Sequence, residues 1–202
     1  MNTEVFWMVI GNYNNATWLI QIFLFLFFIG SIFLTYRYHI YHAPKLVLGV
    51  NLLFVGIVFC LHFGVEAIQK FFAAPLFIAS GVLFLYEGTV RKEEKIRKFD
   101  ISGKVLLIAV FLYPLLSILF GHQFPQMTTY IMPCPLVSFA ILFYTRYEKK
   151  NKLLMILLII WGLTGVKSMF FNVFEDLILL ACGIYGIIHM NMGGKMAGKD
   201  KR

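Results

Sequence analysis

The sequence predicts an all-α membrane protein with seven transmembrane helices, its N-terminus outside and its C-terminus inside. Three observations predict it: an unusually apolar composition, seven apolar runs approaching bilayer length, and basic residues gathered in alternate connections. The 202 residues are 60% hydrophobic and only 14% charged, with a mean hydropathy of +0.79. Soluble domains are roughly 45–50% apolar and about 25% charged.

A spanning helix needs about 20 mostly apolar residues. Seven runs approach that, at residues 17–36, 45–67, 72–90, 104–121, 130–147, 152–171 and 174–192. The first reads as a retained span, because the residues before it contain neither Lys nor Arg and no small-residue cleavage site follows a short apolar core. Residues 1–192 thus form a single transmembrane domain, and 193–202 a basic cytoplasmic tail.

The connections set the orientation. Arg37 and Lys45 flank the first turn, six basic residues from Arg91 to Lys104 follow span 3, four from Arg146 to Lys152 follow span 5, and four more fill the tail. Sixteen of the eighteen Lys and Arg lie on one side, leaving Lys70 and Lys167 on the other. This strong positive-inside bias places the inner face and supports an odd number of spans. It also accounts for the net charge of +8 without a nucleic-acid partner.

A repeat is suggested by "SIFLTYRY" ending span 1 and "AILFYTRY" ending span 5, each followed by a basic turn and a run reaching Gly56 or Gly162. Span 3 carries "LFIASGVLFLY" where span 7 carries "LILLACGIYGI". Spans 1–3 and 5–7 would then be parallel copies joined by span 4, a 3+1+3 arrangement of the kind found in sugar carriers with a midplane site between the halves.

Ionisable groups in hydrocarbon cost roughly 2.5–3.5 kcal/mol each on insertion scales, so each calls for a partner or a role. His62 and Glu66 are four apart in span 2, a spacing that places them on one helical face. Together with His122, Lys167 and Asp176 they would form an outward-facing polar cavity able to hold a solute head group or relay protons. The structural alternative has Glu66 reaching the interface and Glu175–Asp176 complementing a helix N-terminus. Trp7, Trp18, Tyr36, Tyr38 and Tyr41 fit interfacial belts. On the inner side, Glu87 pairs with the basic loop that follows it, and Asn51 is uninformative.

Span 5 has only about half a bilayer of uninterrupted apolar chain after Pro135. Pro133 and Pro135 cannot donate backbone hydrogen bonds and disfavour helix before them, so the chain is expected to unwind or kink at Cys134, at outer-leaflet depth. Irregular backbone there must be covered by protein or line a cavity. The stretch admits a polar solute or anion at the helix N-terminus, a soft metal such as Cu(I) on His122, Met127, Met132 and Cys134, or plain packing. Cys60, Cys134 and Cys182 contain no CxxC pair, so neither a disulfide framework nor a zinc knuckle is indicated.

The stretches "YNNATWLIQ" (13–21), "LYPLLSILFGHQFP" (112–125), "MPCPLVSF" (132–139) and "FEDLILLACG" (174–183) resemble a bacterial family of multi-spanning membrane proteins known as a domain of unknown function, marked by a Pro-Cys-Pro motif. The matching positions are Tyr13, Asn14, Trp18, Gln21, Tyr113, Pro114, Gly121, His122, Pro125, Pro133, Cys134, Pro135 and Asp176; Leu19 stands where the family pattern has a proline. The resemblance implies a multi-pass protein of the bacterial cytoplasmic (inner) membrane, without assigning an activity. No retinal lysine in span 7, HExxH helix or nucleotide-binding loop is present.

The expectation is a carrier for a small polar solute or ion, with the lipid bilayer as its setting. Its site would involve His62, Glu66, Tyr113, His122, Cys134, Lys167 and Asp176, with Pro114, Pro125, Pro133 and Pro135 shaping the backbone. The alternative is a membrane sensor or accessory subunit binding a soft metal or a partner protein at the Pro-Cys-Pro loop. An enzyme using Cys134 as nucleophile and His122 as base ranks last, because a proline-containing loop does not fix their geometry. The sequence names no cofactor, solute or oligomeric state.

Overall fold

Polar residues explain why the first helix outruns its apolar stretch. In the computed structural model, which describes residues 3–92, 94–168 and 173–197 and side chains as far as residue 190, α1 is Thr3–Tyr38, 36 residues long. At 1.5 Å per residue that is about 54 Å, against about 30 Å of hydrocarbon. Tyr13, Asn14, Thr17 and Gln21 are buried on one stripe of α1, whereas Trp18, Leu19, Phe23 and Phe27 face outward. The helix runs unbroken through Leu19.

Helix α2 (Ala43–Phe54) continues as a π-helix over Val55–Phe63 and stops at Gly64, whose backbone is extended. The predicted second span reached residue 67; because the helix ends four residues earlier, the His62–Glu66 spacing no longer puts the two side chains on one face. A second π-helical turn, Gln69–Ala73, leads into α3 (Ala74–Val90). The predicted fourth span is two helices, α4 (Ile101–Phe111) and α5 (Tyr113–Leu119), bent by 55° where Pro114 enters the first turn of α5. At this break the Tyr130 hydroxyl donates to the Phe111 carbonyl at 2.7 Å.

The expected unwinding at Cys134 is displaced. Backbone is irregular up to Met132, and α6 (Pro133–Tyr144) begins at Pro133, where a missing N–H costs nothing and the fixed φ suits a first helical residue. Helix α6 is the axis of the molecule. Residues 135–147 are all buried, and Phe139 meets Phe28 of α1 and Phe111 of α4 at ring-centroid distances of 5.2 and 5.1 Å. Helix α7 (Lys152–Leu163), capped by the Asn151 side chain, passes into a 3₁₀ turn over Thr164–Lys167. A further 3₁₀ turn, Phe174–Asp176, starts α8 (Leu177–Ala197). Part of the predicted tail after residue 192 is therefore helical, while Lys199, Lys201 and Arg202 lie outside the described residues.

Hydrogen bonds assign the connections to two ends. At one end, Tyr147 donates to the Tyr41 carbonyl at 2.8 Å, Arg97 N–H to the Arg146 carbonyl at 2.9 Å, and Arg146 to Asp100 at 2.9 Å. At the other, Asn14 binds the Pro125 carbonyl and Thr128 donates to Glu175. The rods α1, α2, α3, α4–α5, α6, α7 and α8 thus alternate in direction. Among the described residues, by length and apolarity alone, α1, α2 with its π extension, and α3 with the π turn before it can each cross a membrane, and α4–α5 makes a fourth if the bent pair is one span.

Two close crossings use glycine. A Cβ on Gly81 of α3 would lie 2.9 Å from the Gly49 carbonyl of α2, and one on Gly162 of α7 would lie 2.8 Å from the Gly183 Cα of α8. Small residues at such contacts let backbones approach closely.

The Arg146 end holds a buried cluster of opposite charges. Lys45 is fully buried, pairs with Glu87 at 3.3 Å and with Glu94, and lies 4.2 Å from the centre of the Tyr147 ring. Tyr144 donates to Glu87 at 2.9 Å. Glu87 is thus paired as expected, with Arg91 of the following loop at 3.3 Å, but its buried partner Lys45 comes from the start of α2. Asn51 is fully buried with neither side-chain atom hydrogen-bonded.

Candidate functional site

A cavity of about 330 Å³ opens beside the first turn of α6, at the end opposite the Lys45 cluster. Pro133, Cys134 and Pro135 form part of its wall. The remainder comes largely from the stretches that leave α geometry. The π-helix 55–63 supplies Phe59 and Cys60, and the π turn 69–73 supplies Gln69, Phe72 and Ala73. The 3₁₀ turn 164–167 supplies Thr164 and Lys167, and the 3₁₀ turn 174–176 supplies Asp176. Among the described residues every π or 3₁₀ segment therefore reaches this cavity. Such departures change the direction of side chains relative to regular helix and concentrate at functional sites.

The wall is apolar over most of its area, with a few polar groups set into it. The Tyr113 hydroxyl donates to Asp176 Oδ1 at 3.1 Å, and Cys134 lies against both Asp176 and Trp161. Behind Asp176, Glu175 is buried; its Oε1 accepts from Thr128 at 2.9 Å and its Oε2 has no hydrogen-bond partner. Glu66 is half-buried on the wall, and its turn is held by Gln69 Oε1, which accepts the Val65 and Glu66 N–H groups at 2.9 and 3.1 Å. Lys167 is exposed.

A polar clamp holds the loop 120–132 that leads into α6. Asn14 Nδ2 donates to the Pro125 and Met127 carbonyls at 2.7 and 2.8 Å, and Tyr13 donates to the Ile131 carbonyl at 2.6 Å. Gln21 donates to Asn14 at 3.1 Å and to Thr17 at 2.9 Å, and accepts the Thr129 hydroxyl at 2.6 Å. These bonds satisfy a loop that would otherwise carry unpaired backbone groups inside the protein.

Several residues that carry the sequence resemblance, among them Tyr13, Asn14, Gln21, Pro125, Cys134 and Asp176, belong to this clamp and cavity, and the model of a family of unknown function, DUF6064, matches residues 3–198. The chain belongs to the DUF6064 family. No curated protein and no solved structure matches it.

In this DUF6064 protein the predicted site residues divide. Glu66, Cys134, Lys167 and Asp176 line one cavity, and Tyr113 binds Asp176 from behind. His62 is exposed and lies edge-on to Phe63, and neither it nor His122 is on the wall. The His122 ring stacks on Trp7, with centroids 3.7 Å apart; Trp7, expected in an interfacial belt, is buried. Of the four residues considered for a soft metal, Met132 and Cys134 are on the wall, while His122 and Met127 are on the clamped loop. The Met132 sulfur accepts the Thr129 N–H at 3.3 Å. Among the described residues no three His, Cys, Asp or Glu side chains are grouped to hold a metal ion.

Sequence reasoning missed two parts of the DUF6064 site. Phe59, Cys60 and Phe72 reach it through π-helical turns that have no signature in composition. The clamp could have been found, because Asn14, Thr17 and Gln21 repeat at helical spacing inside a largely apolar helix.

Proposed function

We propose that this chain is a seven-span carrier of the bacterial cytoplasmic membrane, N-terminus outside, taking a small polar solute or ion from the outer side into the cavity at the start of α6. The observation that carries this reading is the convergence of four non-α segments and the α6 N-terminus on one cavity. Helix α6 has 12 residues, about 18 Å, so its start falls within a hydrocarbon layer about 30 Å thick. Irregular backbone at that depth is tolerated where it is buried in protein or lines a cavity, and broken helices form the midplane sites of many carriers.

The glycine crossings of α2 with α3 and of α7 with α8 are in keeping with a 3+1+3 arrangement in which α4–α5 joins the halves. The Lys45–Glu87–Glu94 cluster crosses the end with the basic loops, the inner side in this orientation.

The test is uptake by proteoliposomes of a panel of small polar solutes and ions. At least one should accumulate, with accumulation lost in Asp176→Asn and reduced in Glu66→Gln. Uptake unaffected by both variants would overturn the site, and solute binding without any uptake would make the protein a sensor or accessory subunit instead.

A further inference from the structure

We infer that the ligand of the outer cavity is a small amphiphile with a protonated amine head and an apolar body, an inference that rests on the carrier reading and names its substrate class. Two carboxylates, Glu66 and Asp176, are on the wall, and a third, Glu175, is buried directly behind. Among the described lining residues the one cationic side chain, Lys167, is exposed. Acidic groups thus outnumber the cation among the described lining residues, and low-dielectric walls strengthen their attraction for a bound cation. A carboxylate or phosphate head would face repulsion there, whereas an ammonium would be paired.

The head-group position follows from three side chains at one spot. Asp176 keeps one oxygen on the Tyr113 hydroxyl, and Cys134, Trp161 and Asp176 share the wall. A carboxylate and an indole in the wall of one cavity suit an organic cation, because Trp is the strongest of the aromatic partners for a positive charge. An independent observation also points to a polar ligand. Ser168 is on the wall, 2% exposed, and its hydroxyl has no hydrogen-bond partner; such a group can donate to or accept from a bound head group. Phe59 and Phe72 complete an apolar wall for the rest of the molecule, and about 330 Å³ is within the range of small-molecule sites.

The experiment is equilibrium binding to the purified full chain in detergent at pH 7, by calorimetry and thermal shift, with three probes of one shape: phenethylamine, 2-phenylethanol and 3-phenylpropanoate. Phenethylamine should bind at least tenfold more tightly than either of the others. Asp176→Asn should make amine and alcohol equivalent, and Glu66→Gln, at the better-hydrated part of the wall, should narrow the preference without changing the melting temperature. Equal binding of the amine and the alcohol to the wild type would overturn the amine inference while leaving the cavity as a solute site. Preference for the acid would overturn it too, by showing that Lys167 sets the sign. Amine-selective binding lost in the variants but unaccompanied by uptake would uphold the inference and reject the carrier reading.

Discussion

The Asn14 side-chain amide donates to two carbonyls of one loop, Pro125 at 2.7 Å and Met127 at 2.8 Å, and so ties α1 to a segment more than a hundred residues away. Its own Oδ1 accepts from Gln21 at 3.1 Å. Asn14→Ala leaves these groups buried without partners, and a loss of about 1–3 kcal/mol is expected. Thermal unfolding in detergent measures it, and limited proteolysis should show faster cleavage within residues 121–130. Asn14→Asp should resemble Asn14→Ala, since a carboxylate cannot donate to either carbonyl.

Lys45 is the buried cation of the opposite end, facing Glu87 and Glu94. Lys45→Met removes the buried cation from both carboxylates, leaving Glu87 only Arg91 and the Tyr144 hydroxyl, and a loss of about 3 kcal/mol is expected. Neutralising both acids as well, in Lys45→Met with Glu87→Gln and Glu94→Gln, should restore much of it. Chemical unfolding of the single and triple variants gives the comparison.

The glycine crossing of α7 and α8 leaves no room for a side chain. On Gly162 a Cβ would meet the Gly183 backbone at 2.8 Å, so Gly162→Ala should cost about 1–3 kcal/mol through helix displacement. Gly30, in the middle of α1, has nothing within 4 Å of the same atom, and Gly30→Ala should be neutral or stabilising by up to about 1 kcal/mol. The difference in melting temperature between the two variants checks the crossing.

Asp100 caps α4 outside the predicted spans. Burial alone would raise its carboxyl, but the Tyr185 hydroxyl at 2.6 Å and the Arg146 guanidinium at 2.9 Å hold it below the ordinary carboxylate value. A group depressed in the folded state stabilises it above the unfolded pKa, and that contribution is lost as pH falls through the folded value. Wild type should therefore exceed Asp100→Asn in stability above about pH 5, with the gap closing below about pH 4. Because the Asp100 side chain is 44% exposed, the gap should be modest. Asn preserves the helix cap, so the pH dependence of the difference isolates the charge.

Much of the helical order was legible because apolar length and basic connections are properties of composition. Each of the seven predicted runs contains a helical rod, and the pairing of Tyr147 with Tyr41 and of Arg146 with Asp100 brings the basic loops to one end. The ends of the rods were less legible. Hydropathy cannot distinguish an α-helix from the π-helix at 55–63, nor show that the backbone becomes extended at Gly64, which parts His62 from Glu66. It also cannot show that an apolar helix is enclosed by protein: the break in span 5 was legible from its prolines, but not that α6 is buried from Pro135 onward. Within the site, Glu66, Cys134, Lys167 and Asp176 were legible as ionisable or reactive groups in apolar chain. Trp7 and His122 were not, because their stacking depends on how the loop after α5 folds back onto α1.

Access to the cavity from the outer side is most directly tested at Cys134, with Cys60→Ala and Cys182→Ala removing the other thiols. A membrane-impermeant cationic methanethiosulfonate applied to intact cells should modify Cys134, and phenethylamine should slow the modification. Modification that requires permeabilised cells, at a rate phenethylamine leaves unchanged, would contradict an outward-facing site at the start of α6.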